Sequence, residues 1–373
     1  MTLRRVELPA IERELAALSE KAQGTAEGIS RACQLNLLVC CRGVAQARDA
    51  EAVVASISAE CPSRAIVTVV DESTGQDRLE AAISAHCAVG GAQQGQQVCC
   101  EQITLTGSGR GVERLPRVVL PLLLPDLPVA VWYPEDPGLT EKSGYASVAR
   151  ALAGTADRVV MNARGLHDAW RSLLALASLE TIIADLSWQR LRGWREMTAT
   201  FFDSHAFEAY PARLSRLRVA YAVPFHTARQ PHPHAGAAEA ILLACWAASR
   251  LQWRPAGVSD GACTLERPHG AGTAELALVP EPSARPAGQV IAFVLESPDA
   301  TFRLERSEVL DCVTSTVTIP ETCPVPRSAR VAEREDGELL CRALGPGADD
   351  AVYAEALGLA AGMAASLVKG EPR

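Results

Sequence analysis

Hydrophobic positions in the first half of the chain follow two alternating periods. Short apolar runs at Gln34–Cys41, Ala65–Asp71, Pro128–Tyr133 and Asp157–Asn162 are bounded by turn residues. Runs of this length and Val/Ile/Leu content predict buried strands. Between them the spacing changes to three and four, over Val44–Glu60, Gly111–Leu124, Tyr145–Gly154 and Leu166–Ser178, which predicts helices. Ala10–Lys21 carries the same helical spacing through Ile11, Leu15 and Leu18. Strands alternating with helices predict an α/β fold with a three-layer, mostly parallel, Rossmann-like sheet. Ile83–Val89 and Gln97–Thr106 have no helix between them and predict an antiparallel hairpin within it.

The grammar changes in the second half. A strand at Leu217–Val223 and a strongly apolar helix at Ala237–Leu251 precede five β-like runs: Cys263–Glu266, Ala274–Val279, Gln289–Glu296, Thr301–Arg306 and Leu310–Ile319. Consecutive strands with short turns predict an antiparallel meander in an α+β domain. Val352–Ala365 predicts a closing helix. The expected division is an N-terminal helix and linker (1–30), the α/β domain (31–183), a central helical motif (184–215) and the α+β domain (216–373).

That central motif, Ala184–Asp203, reads as one amphipathic helix with its lead-in. Leu191, Trp194, Thr198 and Phe201 share one face, and Arg192, Arg195, Glu196 and Asp203 take the other. Trp and Arg dominate interface hot spots, so Arg190, Arg192, Arg195 and Glu196 are candidate partner-binding residues. The same spacing also suits a helix whose aromatics are core and whose charges are solvated.

Composition narrows the classes. The chain has 373 residues, which suits two domains better than one core. Its net charge of −8 argues against a nucleic-acid binder and against a membrane-surface binder. No secretory signal is visible, because Glu7, Glu12 and Glu14 interrupt the N-terminal stretch. The most apolar run, Val118–Tyr133, is broken by Pro121, Pro125, Asp126 and Pro128, so no spanning helix is expected. The expected location is the cytoplasm.

Candidate chemistry is sparse. Gly107–Gly111 follows a predicted strand and precedes a predicted helix, the position of a phosphate loop, but it lacks both the G-x-G-x-x-G and the P-loop spacing. A plain glycine turn is expected there. His226, His232 and His234 sit among prolines without a metal-ligand set, and His86 beside Cys87 reads as a core residue. None of the twelve cysteines forms a CxxC pair. The vicinal pairs Cys40–Cys41 and Cys99–Cys100 fall in strand patterns, where neighbours point to opposite faces. Cys312 and Cys323 are the redox candidates, the second in a proline-flanked stretch near Arg327. No catalytic, cofactor or metal residue is assigned.

The chain resembles the glucose-6-phosphate dehydrogenase assembly protein family, OpcA. The resemblance is carried by Asp185, Leu186, Trp188, Arg190 and Leu191, then Trp194-Arg195-Glu196, then Phe201-Phe202-Asp203, with Ser187 where the family usually has Asn. Asn36–Val39, Pro62–Val67, Cys99–Leu105, Leu120–Trp132 and Ala240–Trp253 agree in the same order. The resemblance implies a non-catalytic protein that binds glucose-6-phosphate dehydrogenase, helps its assembly and raises its activity allosterically, with NADP belonging to the enzyme. Two other readings stand beside it: a nucleotide-dependent α/β enzyme of degenerate motif, and a thiol redox sensor.

Overall fold

The computed structural model of the protein describes residues 4–23, 33–89, 97–225, 236–259, 262–320, 325–345 and 350–370. The chain divides into two compact units. Unit 1 comprises Met1–Asn162, Leu179–Leu186 and Glu335–Gly347, and unit 2 comprises Ala163–Ser178, Ser187–Arg334 and Ala348–Arg373. This differs from the linear division read from the sequence. The sequence reading followed chain order, whereas late segments complete early cores.

Unit 1 is built on an eight-stranded sheet. Its strands are β1 (Arg4–Val6), β2 (Leu35–Arg42), β3 (Ser63–Asp71), β4 (Arg78–Val89), β5 (Gln97–Ser108), β6 (Val129–Tyr133), β7 (Arg158–Met161) and β8 (Ile182–Asp185). The order across the sheet is β1-β4-β5-β3-β2-β6-β7-β8. From β5 to β8 every pairing is parallel, and β4 pairs antiparallel with β5 and β1. Counting β2, β3, β5, β6, β7 and β8 as one to six gives the 3-2-1-4-5-6 order of doubly wound folds. The expected α/β class and the expected hairpin are both present.

The helices of this unit are α1 (Ile11–Gln23), α2 (Gly43–Ile57), α3 (Leu115–Val119), α4 (Gly144–Ala153) and a late helix, Asp336–Leu344. Alternation along β2 feeds two cores. Leu38 and Cys40 join Ile66, Ile103, Leu115, Tyr145 and Val148 in one. Leu37, Val39 and Cys41 join Val67, Trp132, Val54, Ile57, Leu339 and Leu340 in the other. The vicinal Cys40 and Cys41 therefore face opposite layers, as a period of two requires. The expected helix over Gly111–Leu124 is broken into a 3-10 turn (Gly109–Arg114), α3 and a second 3-10 turn (Leu120–Leu122). Pro116 and Pro121 lack the amide hydrogen that a continuous helix would use.

Unit 2 holds a second eight-stranded sheet, with β9 (Arg216–Val223), β10 (Arg254–Ser259), β11 (Ala262–Glu266), β12 (Thr273–Pro282), β13 (Val290–Ser297), β14 (Ala300–Arg306), β15 (Cys312–Thr318) and β16 (Arg327–Arg330). The expected meander is present as β13-β14-β15-β16, and β10-β11-β12 forms another. They do not run on into each other. β9 lies between them, parallel to β12 and antiparallel to β13. Leu217 and Val219 to Ala222 are buried, so this strand takes the centre.

The remaining helices are α5 (Ala169–Ala177), α6 (Leu186–Arg190), α7 (Arg192–Phe201) and α8 (Ala238–Arg250). The Asp336–Leu344 helix of unit 1 is α9, and α10 (Asp350–Gly370) follows it. α10 packs on α5 and α8. α8 is buried from Ala238 to Cys245, and the Cys245 Sγ lies 3.8 Å from the Met363 Sδ. Among the described residues no helix is long and apolar enough to cross a membrane.

Candidate functional site

The central motif is a strand and two helices rather than one helix with a lead-in. β8 runs into α6, and α7 begins after Leu191. The apolar stripe falls where the spacing of three and four places it. Leu191, Trp194, Thr198 and Phe201 are buried, and Trp188 joins them. Phe201 packs edge-on against Phe302 at 5.4 Å, and Phe202, Phe207 and Tyr210 surround the same ring. Gly193 permits a close approach, since an added Cβ would lie 3.1 Å from a methyl of Val331.

The polar face is where the structure corrects the sequence reading. Arg195 is buried, not solvent-facing. Its guanidinium carbon lies 3.5 Å from the Trp188 ring centroid, and its Nη2 donates to the Trp188 carbonyl at 3.3 Å. Stacking on the indole holds the planar cation where water is largely excluded. The Arg190 side chain is only 8% exposed, with Nη1 3.8 Å from Glu239 and Nε 3.6 Å from Glu333. Of the four candidate residues only Arg192 and Glu196 face outward. They pair at 2.8 Å along α7, with side chains 55% and 62% exposed.

Arg190 belongs to a charged cluster. Arg164 pairs bidentately with Glu239, Nε to Oε1 at 2.9 Å and Nη2 to Oε2 at 3.1 Å. Its Nη1 reaches Glu333 Oε1 at 2.5 Å, and Gln289 Nε2 donates to Glu333 Oε2 at 2.7 Å. The Arg164 amide donates to the Ser187 hydroxyl at 2.9 Å. Glu239 lies in the first turn of α8, where the helix dipole favours an anion. Burial pushes the Glu333 carboxyl up, but Arg164, Arg190 and Gln289 outweigh it and hold it below the usual carboxylate range. The arrangement joins distant stretches of unit 2 and fixes their geometry.

In unit 1 the parallel order places a crevice between the carboxyl ends of β2 and β6, where doubly wound folds take nucleotides. Here an ion pair spans it. Arg42, the last residue of β2, donates to Glu141 in the loop after β6 at 2.7 Å, and each side chain is 41% exposed. The Arg42 guanidinium also lies over the Tyr145 ring at 4.5 Å. The first strand–helix turn holds one glycine, Gly43, and the Arg42 amide donates to the Gln46 side chain. Glu72, just past β3, accepts from the Gly144 and Tyr145 amides at the start of α4 at 3.0 and 3.3 Å.

The other candidates fall elsewhere. In Gly107–Gly111, Asp77 accepts from the Arg110 amide at 2.8 Å, and a Cβ at Gly111 would collide with the Arg78 carbonyl. The glycines serve close backbone packing. Cys312 is half-buried and free, whereas Cys323 lies outside the described residues. His226, His232 and His234 also lie outside them, as do the side chains of His86, Cys87 and Cys99. Among the described residues no group of three His, Cys, Asp or Glu is placed to hold a metal ion. Burial pushes the Cys40 thiol up to about 12 and the Cys263 thiol up to about 11.

Sequence reasoning missed the buried Arg64, which binds Glu101 through Nε and Nη2 at 3.1 and 2.7 Å and Glu12 through Nη1 at 2.7 Å. It also missed the Arg42–Glu141 bridge and the groove that Cys61 and Cys341 both line. For Arg195 a signal existed. It lies seven residues after Trp188, two helical turns, so the two share a face.

Fold and site together define a two-unit α/β plus α+β protein whose Rossmann-like crevice is bridged by its own side chains. Two family models match the chain. One, described as the N-terminal domain of the glucose-6-phosphate dehydrogenase subunit, matches residues 54–178. The other, described as the C-terminal domain of the same dehydrogenase subunit, matches residues 181–357. The chain belongs to this OpcA family of glucose-6-phosphate dehydrogenase assembly proteins. A "Putative OxPP cycle protein OpcA" of Synechocystis is 30% identical over 214 residues, covering 57% of this chain and 42% of that protein. One of the same name from Synechococcus elongatus is 31% identical over 202 residues, 53% of this chain and 42% of that one. The matched stretch thus spans less than half the length of either relative. Among solved structures, an NAD binding oxidoreductase from Klebsiella pneumoniae aligns over 92% of this chain and 98% of its own at 11% identity, with a TM-score of 0.45. A levoglucosan dehydrogenase in apo form aligns over 91% and 97% at 9% identity, with a TM-score of 0.47.

Proposed function

We propose that this protein acts in the cytoplasm as a non-catalytic assembly factor and allosteric activator of glucose-6-phosphate dehydrogenase, in the oxidative pentose phosphate cycle. Membership of the family supports the partner. The observation that carries the non-catalytic part is the Arg42–Glu141 pair across the crevice of unit 1. A dinucleotide entering there would have to displace that pair and would meet one glycine where a phosphate-binding turn carries several. Activation then works by differential affinity: the protein prefers the active conformer or oligomer of its partner and shifts the population towards it. Arg192 and Glu196, the outward pair on α7, are the proposed contact residues.

The test is a titration of the purified protein into the dehydrogenase of its own host. The expected outcome is no dehydrogenase activity alone, and a lower KM for glucose 6-phosphate or a higher kcat in the mixture. Unchanged parameters at saturation would remove the activator reading. A melting temperature raised by NADP in the absence of the enzyme would instead favour a nucleotide-binding catalyst.

A further inference from the structure

Unit 2 contains an open cavity of about 900 Å³ where α8 hands over to β10 and where β11 turns into β12. Three strands meet it in one row. Arg254 of β10 lies opposite Glu266 of β11, and Glu266 lies opposite Thr273 of β12. Residues opposite each other on neighbouring strands share a face. A cation, an anion and a hydroxyl therefore stand side by side, all three exposed. Gln252, Arg267 and His269 complete the polar wall.

The backbone around this wall is held in a costly form. Among the described residues three that are not glycine have a positive φ, and two of them, Gln252 at 57° and His269 at 56°, line this one cavity. A left-handed backbone crowds the Cβ against the following carbonyl, so each position keeps its side chain at a cost that glycine would avoid. The turn between β11 and β12 is pinned. The Arg267 amide donates to the Gly272 carbonyl at 2.9 Å, and the Ala271 amide to the Pro268 carbonyl at 3.2 Å. The Arg267 guanidinium donates to the Ala271 carbonyl at 3.1 Å and to the distant Ala212 carbonyl at 2.7 Å.

Charge then decides what the cavity takes. Neutral carbonyls fix the Arg267 guanidinium without cancelling its charge. Two arginines and a histidine face one carboxylate, in a chain whose net charge is −8. A positive wall on an acidic protein attracts an anion. The space exceeds what a bare ion fills and lies in the range of small-molecule sites. Trp253 in the same wall is 3% exposed, so it offers no ring face on which a nucleobase could stack.

We propose that this cavity binds a phosphorylated sugar, with its phosphate on Arg254, Arg267 and His269 and its hydroxyls on Glu266, Gln252 and Thr273. The guanidinium fork matches phosphate oxygens. A carboxylate beside it repels a bare phosphate but accepts hydrogen bonds from hydroxyls, so Glu266 selects for the sugar half. None of these residues is a proposed contact residue on α7, and binding is read on the protein alone. This test and that of the proposed function therefore fail separately.

The experiment is isothermal titration calorimetry of the full chain at about 150 mM salt, where weak exposed charge pairs are screened. The probes are glucose 6-phosphate, fructose 6-phosphate, glucose and inorganic phosphate. The expected result is that a hexose phosphate binds one to one, at least about tenfold tighter than either half alone. Arg254→Ala, at an exposed position, should weaken it about tenfold or more with the melting temperature unchanged. Glu266→Gln should narrow the preference for the hexose phosphate over inorganic phosphate. Equal affinity for inorganic phosphate and the hexose phosphates would mean an adventitious ion only and would overturn the proposal. So would the absence of binding by both hexose phosphates, or wild-type affinity in Arg254→Ala. Should that variant unfold, Arg254→Gln, which keeps most of the side chain, decides in its place.

Discussion

Two arginine–glutamate contacts of similar length have opposite physical standing. Arg42–Glu141 lies at the surface of unit 1, 2.7 Å long and 41% exposed on both sides. Arg164–Glu239 lies inside unit 2, 2.9 Å long and 15% and 2% exposed. The first pair is solvated whether formed or broken, so it adds about 0–1 kcal/mol to stability. What it does is occupy space across a crevice. The second has left its water behind, so neither partner tolerates removal of the other. The contrast lies in what each pair does: the first stays solvated at the strand ends of unit 1, and the second fixes an architecture inside unit 2.

The strongest way to break this comparison is Glu239→Ala. It takes the bidentate partner from the buried Arg164 and leaves it Glu333, and the expected loss is about 3 kcal/mol in urea unfolding. A loss below about 1 kcal/mol would mean that water or a neighbour reaches Arg164 after all. Acid tests the same cluster without mutation. Glu333 titrates below its unfolded value, so its contribution is complete above the unfolded carboxylate pKa of about 4.3 and is lost as pH falls through the lower folded value. Melting temperature measured between pH 6 and pH 3 should fall over that window, and Glu333→Gln should flatten the fall.

Smaller effects sharpen the contrast. Arg42→Ala should cost about 0–1 kcal/mol, since its partner stays solvated. Its effect should appear instead as an opened crevice, read by faster hydrogen exchange at the start of α2. Equal exchange in variant and wild type would show that the pair does not guard that end. Smallest of all, Arg192→Ala combined with Glu196→Ala should change stability by about 0.3–0.5 kcal/mol. The readout that matters is dehydrogenase binding by calorimetry, where an unaltered affinity would exclude this pair as a contact.

The sequence made local order readable and long-range partnership unreadable. The stripe Leu191, Trp194, Thr198 and Phe201 was visible because one helix writes its own period. The α/β alternation and the hairpin were visible for the same reason. The insertion of β9 between two meanders was not, because strand order depends on which strand buries both edges rather than on chain order. Arg164 meets Glu239 across 75 residues and Glu333 across 169, and no periodicity spans such distances. Arg190 looked like a surface residue because Glu239 and Glu333 lie far along the chain from it. Attention to thiols fell on Cys312 and Cys323, which are near in sequence, while Cys61 and Cys341 line one groove from elements far apart in the chain.

The interleaved path of the chain has a consequence for how the protein is made. Unit 1 needs β8 and α9, whose residues follow Asn162 by some way, the last of them ending at Gly347. A ribosome adding about 5–20 residues per second therefore leaves unit 1 without α9 for roughly 10–40 s after the first long stretch has emerged. During that interval the apolar side of α2 waits for a partner not yet synthesised. Vectorial folding, unit after unit, is closed to this topology. A nascent chain stalled before α9 should engage chaperones that the finished protein ignores.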